Sequence, residues 1–127
     1  MAGQTTDETM DQLVAAVNAR DLDRALALYH PDGTFVPERG KLATGIEEIR
    51  AAWTELFASK PELAIPQHET VESGDIALYS TKWSLSLTGP DGAPVKMTGK
   101  GGVVLRRQPD RTWLIAIENP WTDYLSV

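Results

Sequence analysis

The sequence predicts an α+β fold: a cone-shaped, curved antiparallel sheet with three N-terminal helices on its concave face. Three observations carry that prediction. Apolar residues recur at spacings of three and four in three separate runs before Ser59, the mark of helices with one buried stripe. From Leu63 onward that spacing stops, and β-forming residues fill four long stretches. Short turn-rich segments join those stretches, and short connections pair strands antiparallel.

The elements follow in order. Residues 1–6 read as a frayed start, after which Asp7 is placed to cap a helix with Met10, Leu13, Val14 and Val17 on its buried side. Asn18-Ala19-Arg20-Asp21 breaks it. Asp21 then caps a second helix whose stripe is Leu22, Ala25, Leu26 and Tyr29. His30-Pro31-Asp32-Gly33 reads as a turn, because proline disfavours helix at the residue before it and glycine accepts positive φ. Thr34-Phe35-Val36 is a short strand stopped by Pro37. The charged run Glu38–Thr44 reads as a loop. Thr44 and Glu47 then form a capping-box pattern ahead of a third helix, with Ile46, Ile49, Trp53, Leu56 and Phe57 on its apolar stripe.

Strands are predicted over Leu63–Val71, Ile76–Leu87, Val95–Arg107 and Trp113–Asn119. Their length implies strong twist and curvature. Gly99, Gly101 and Gly102 in mid-strand are consistent with a bulge or bend. A curved sheet with helices against one face leaves an open-mouthed pocket, the expected site for a small organic ligand.

A chain of 127 residues reads as one domain over 1–127, able to bury a single core. The net charge of −6, with only Arg106 and Arg107 adjacent among the basic residues, argues against a nucleic-acid groove. There is no cysteine, hence no disulfide, thiolate metal site or cysteine nucleophile. Two histidines without a third ligand at suitable spacing predict no metal, and nothing calls for a cofactor. The polar start is unlike a signal peptide, and no apolar run approaches the ~18 residues of a membrane span, so a cytoplasmic location is expected.

AAVNARDLDRALALYHPDGTFV followed by TGIEEIRAAW resembles the helical half of the nuclear-transport-factor-2-like superfamily, which includes ketosteroid isomerase, polyketide cyclases of the SnoaL type and limonene epoxide hydrolase. VESGDIALYSTKWSLSLTGPDGAPVKMTGKGGVVLRRQPDRTWLIAIENPW resembles its small bacterial SnoaL-like branch. The resemblance covers about residues 8–122 and implies a cystatin-like cone. It also implies a homodimer through the sheet face. Ketosteroid isomerases carry a tyrosine on the first helix and two aspartates on strands. The corresponding positions here are Leu13, Pro37 (with Glu38 one residue away) and Val103, so that machinery is absent. The arginine-carboxylate relay of the epoxide hydrolases has no counterpart either, although Arg106 lies in a long strand.

Glu118 is the leading candidate for chemistry. Leu114, Ala116, Glu118 and Pro120 share one strand face, and Ile115, Ile117 and Asn119 the other. The resemblance turns the Leu114 face into the cone. A carboxyl among apolar walls is driven towards its neutral form and so towards acid–base use at neutral pH; the competing reading is a solvated or ion-paired strand-end glutamate. His68 is a weaker candidate base, since Gln67 and Glu69 beside it suit an exposed rim. Glu38 and Arg39, near the expected mouth, would grip a polar group or stand simply solvated. His30 reads as a helix-end residue. The expected pocket walls are Leu13, Val17, Phe35, Trp53, Phe57, Met97 and Val103. Tyr79 and Trp83 lie on one face of their strand and Ser80, Lys82 and Ser84 on the other. Parity alone leaves open whether the aromatic face looks inward or towards a second copy.

Two functions remain. One is a small-molecule-binding domain acting as a cofactor-free isomerase, cyclase or hydrolase through a pocket carboxylate. The other is a non-catalytic ligand-binding, dimerisation or assembly domain.

Overall fold

The computed structural model describes residues 2–123; residue 1 and residues 124–127 of the 1–127 domain reading lie outside them. Three helices, α1 (Thr6–Ala19), α2 (Leu22–Leu26) and α3 (Ile46–Phe57), accompany six strands: β1 (Tyr29–Glu38), β2 (Lys41–Thr44), β3 (Glu62–Ser73), β4 (Ile76–Thr88), β5 (Pro94–Arg107) and β6 (Trp113–Asn119). The strands form one sheet in the order β2-β1-β6-β5-β4-β3.

The helical half differs from expectation at its caps. Thr5, not Asp7, caps α1, its hydroxyl accepting from the Glu8 N–H at 3.1 Å. Asp7 lies in the first turn instead, where its charge suits the helix dipole. Met10, Leu13, Ala16 and Val17 are buried, and Arg20 ends the helix in the left-handed region at φ 54. Asp21 caps α2 as expected, accepting from the Arg24 N–H. At α3 the cap is Gly45, whose φ of 86 excludes the Thr44 role. Glu48, not Glu47, reaches back, its carboxylate accepting from the Thr44 N–H at 2.9 Å.

Tyr29 belongs to β1 and not to the α2 stripe. Its strand runs on through the expected turn and past Pro37 to Glu38. The expected loop contains β2, which pairs with β1 around Gly40 at φ 80. The sheet is also not wholly antiparallel, because β1 pairs with β6 in parallel. The His30-Pro31-Asp32-Gly33 segment is an interruption in that pairing: Tyr29 faces Ile115, but the next partners are Thr34 and Ile117. Gly33 is needed there, since a side chain would begin 3.0–3.2 Å from the carbonyl oxygens of His30, Ile115 and Ala116.

The helices cover the inner face of the sheet. Met10, Leu13 and Val17 of α1 and Ile49 and Trp53 of α3 join Leu28, Tyr29, Phe35, Tyr79, Leu105, Trp113 and Ile115 in one core. On β4, Ala77, Tyr79, Thr81 and Trp83 are buried and alternate with exposed Ile76, Leu78, Ser80 and Lys82. The aromatic face therefore looks inward. Gly99 allows it to do so, because a β-carbon at that position would stand 2.6 Å from the Trp83 ring. Register between β4 and β5 is unbroken through Gly99, Gly101 and Gly102, so no β4–β5 bulge lies there.

Candidate functional site

One extra residue on β6 decides where Glu118 points. Val104 pairs with Ile117 and Leu105 with Ile115, which leaves Ala116 as a bulge. A bulge shifts side-chain parity by one. Trp113 and Ile115 face inward before it, Ile117 faces outward, and Glu118 faces inward after it. Glu118 thus enters the cone, but on the face of Ile115 and not on that of Leu114 and Ala116 as simple alternation predicts. Bulges of this kind are frequent beside active sites because they re-aim a side chain.

The carboxyl is buried, with 9% of the residue exposed. Its Oε1 accepts a hydrogen bond from the Tyr29 hydroxyl. The Tyr29 oxygen in turn accepts from Trp53 Nε1 at 3.0 Å. An indole N–H can only donate, so the chain has one direction: Trp53 to Tyr29 to Glu118. Oε2 has no protein hydrogen bond. No fully enclosed polar side-chain atom among the described residues lacks a partner, so Oε2 opens onto the space inside the cone.

Burial pushes the Glu118 carboxyl up from 4.5 to about 7, against the opposing pull of the Tyr29 hydrogen bond. Burial, and after it the Glu118 charge, hold the Tyr29 phenol well above its ordinary value. Tyr29 therefore remains a neutral donor while Glu118 exchanges a proton near neutral pH.

The space in front of Oε2 is a cavity of about 90 Å³. Met10 and Val17 of α1, Phe35 and Pro37 of β1, and Trp53 and Leu56 of α3 close one side. Leu63 and Ile65 of β3, Thr81, Trp83 and Leu85 of β4, and Met97 and Val103 of β5 close the other. Trp121 stands edge-on to Trp83, ring centroids 5.4 Å apart, with the Arg39 guanidinium over its ring. Phe35 and Trp53 stack at 4.9 Å with their planes 2° apart. Glu118 is the one titratable side chain among the described residues lining the cavity.

Val17, Phe35, Trp53, Met97, Val103 and Glu118 are thus brought together as expected walls. Leu13 and Phe57 are not. Leu13 points into the core between α1 and the sheet, and Leu56 takes the place assigned to Phe57, which packs beside Trp53. Glu38 is exposed at the end of β1, opposite Lys41, and forms no part of the cavity. His68 is not in it either. Its ring stacks on Tyr79 and its Nε2 lies 3.2 Å from Asp7 Oδ1, joining β3 to α1. His30 lies in β1 rather than at a helix end, its Nδ1 accepting from the Asp32 N–H. Tyr29 and Thr81 are additions, and nothing in their local sequence announces them. Among the described residues no group of three or more histidines and carboxylates is arranged to hold a metal ion, and no helix is long and apolar enough to cross a membrane.

Comparison with known proteins adds the family. No curated protein matches the sequence. A nuclear transport factor 2-like superfamily protein from Salmonella enterica serovar Typhimurium is similar in structure, with TM-score 0.78 at 17% identity over 94% of this chain and 91% of that one. A ketosteroid isomerase-like protein from Erwinia carotovora atroseptica superposes with TM-score 0.76 at 20% identity over 88% of each chain. A protein described as having a cystatin-like fold, from Novosphingobium aromaticivorans, gives 0.74 at 17% identity over 94% and 80%. At these identities the likeness concerns the fold. The family model described as SnoaL-like domain matches residues 10–113, and the chain belongs to that family.

Proposed function

We propose that the cone binds a small, mainly apolar organic molecule and that Glu118 moves a proton on it. The reaction class is cofactor-free isomerisation, cyclisation or hydrolysis. One observation carries this reading: a buried carboxyl with one oxygen held by Tyr29 and the other open to an apolar cavity. A group poised near neutral pH serves equally as base and acid, so it can take a proton from one atom and return it to another. The test is deuterium uptake from heavy water into a panel of small apolar carbonyl compounds, with and without an amino group, read by mass spectrometry. Wild type is expected to exchange a substrate proton, with Glu118→Gln reduced by roughly a hundredfold or more. Equal exchange in both proteins removes Glu118 as the carrier.

A specific observation also favours an assembly role for the opposite face. Val71, Leu78, Val104 and Ile117 form a continuous row across β3, β4, β5 and β6 on the outer surface. Val71 is 67%, Leu78 48% and Ile117 46% exposed. Such a row suits isologous pairing with a second copy. Leu78→Lys is expected to weaken that dimer roughly tenfold or more by light scattering across a dilution series. Wild type that remains monomeric at high concentration counts against it.

A further inference from the structure

The aromatic walls of the cavity offer a ligand no hydrogen-bond donor. Each N–H or O–H of its aromatic walls is already given to a protein acceptor. Trp53 Nε1 donates to Tyr29 and the Tyr29 hydroxyl to Glu118. Trp83 Nε1 donates to the Pro120 carbonyl at 2.7 Å, and Trp121 Nε1 to the Val36 carbonyl at 3.0 Å. Asn119, next to Glu118 on β6, also lines the cavity, its amide oxygen accepting from the Trp121 N–H. Thr81 and Asn119 are the two lining residues, among those described, that keep a side-chain donor without a protein acceptor.

A site for a developing oxyanion needs donors aimed into it. Here the donors of the aromatic walls are engaged with the protein, and a ligand meets aromatic rings and a carboxylate oxygen. Both attract positive charge, ring faces through their quadrupole and the carboxylate by direct pairing. Arg39 over Trp121 shows one of these rings already holding a cation on the protein's own behalf.

We propose that the cavity selects a small apolar amine, bound as its ammonium with an N–H on Glu118 Oε2 and its hydrocarbon part among the aromatic walls. The proposal deepens the reading of Glu118 as the functional group by naming its ligand class. The Arg39 guanidinium lies over the outer wall ring of Trp121. Tyr29 from β1 is the titratable group in contact with Glu118, and α1, α3, β3, β4 and β5 turn uncharged side chains onto the cavity. Glu118 is the one titratable side chain among the described residues lining the cavity, so the pH dependence of ammonium binding follows its ionisation.

The test compares benzylamine, benzyl alcohol and benzaldehyde, a cation and two neutral molecules of similar size, by calorimetry in 0.5 M salt to suppress the effect of the overall negative charge. At about pH 8 the amine is expected to bind at least roughly tenfold more tightly than either neutral probe. The preference should shrink below about pH 6 as Glu118 takes up its proton, and vanish in folded Glu118→Gln. Equal or tighter binding of the aldehyde or alcohol overturns the proposal. So does a preference that survives Glu118→Gln, or no binding of any probe at about 10 mM. The two readings fail separately. Amine selectivity without isotope exchange removes proton transfer and keeps the ligand class; exchange without amine selectivity does the reverse.

Discussion

Glu118→Gln is expected to stabilise the protein at alkaline pH. Burial raises the folded-state value of this carboxyl from 4.5 to about 7, so the folded chain holds the proton more tightly than the unfolded one. The stability linked to that proton is fully present below about pH 4.5 and is lost as the pH rises through about 7. The gap between the two values corresponds to roughly 3 kcal/mol. Glutamine has nearly the same shape, stays neutral at every pH and keeps a carbonyl oxygen to accept from Tyr29. The variant should therefore gain about 2–3 kcal/mol over wild type at pH 8 and differ by less than about 1 kcal/mol at pH 4. Urea melts of both proteins between those pH values read the difference directly, since groups common to both cancel. A gap that does not change with pH contradicts the burial of an ionising group.

Trp53→Ala is expected to have the largest destabilising effect at the site, about 3–5 kcal/mol. The substitution removes the stack on Phe35, the contact with Phe57 and the hydrogen bond to Tyr29 together. For a domain of this size the melting temperature should fall by roughly 10–20 °C. Trp53→Phe separates the parts. It keeps most of the apolar area but leaves Tyr29 without its donor, which should cost about 1–2 kcal/mol. It also frees the phenol to turn away from Glu118. Calorimetric melts check both variants, and a loss below about 1 kcal/mol for Trp53→Ala would mean that the ring is not a core element.

The fold was legible where neighbours in sequence decide it. The spacing of Met10, Leu13 and Val17, and of Ile49 and Trp53, fixes which sides of α1 and α3 face the sheet. The boundaries of β4, β5 and β6 follow from turn residues between β-formers. What escaped was non-local. Tyr29 continues the α2 stripe by spacing, yet it pairs with Ile115 on the far end of the chain. β2 is a four-residue edge strand with one charge, Lys41, and without the alternation that marks a half-buried one. Glu118 could be singled out, because a carboxylate within an apolar strand is unusual. Its correct face could not be derived, because the Ala116 bulge leaves no mark in a run of alternating apolar residues. Glu38 is a candidate by its place beside the strand-end position of the resembled family and His68 by residue type, and both lie where charge meets water.

The parallel pairing of β1 with β6 has a consequence for the order of assembly. Tyr29 and Glu118 are 89 positions apart, and no short hairpin can bring them together. During synthesis the helices and β1 emerge first and must wait for the last strand. Until β6 slots between β1 and β5, neither strand edge has its partner and the carboxyl has no phenol to meet. Such long-range pairing slows folding relative to a helical bundle of the same size, because loop-closure entropy is paid before the contact rewards it. The candidate reaction centre is thus completed only once β6 has paired with β1.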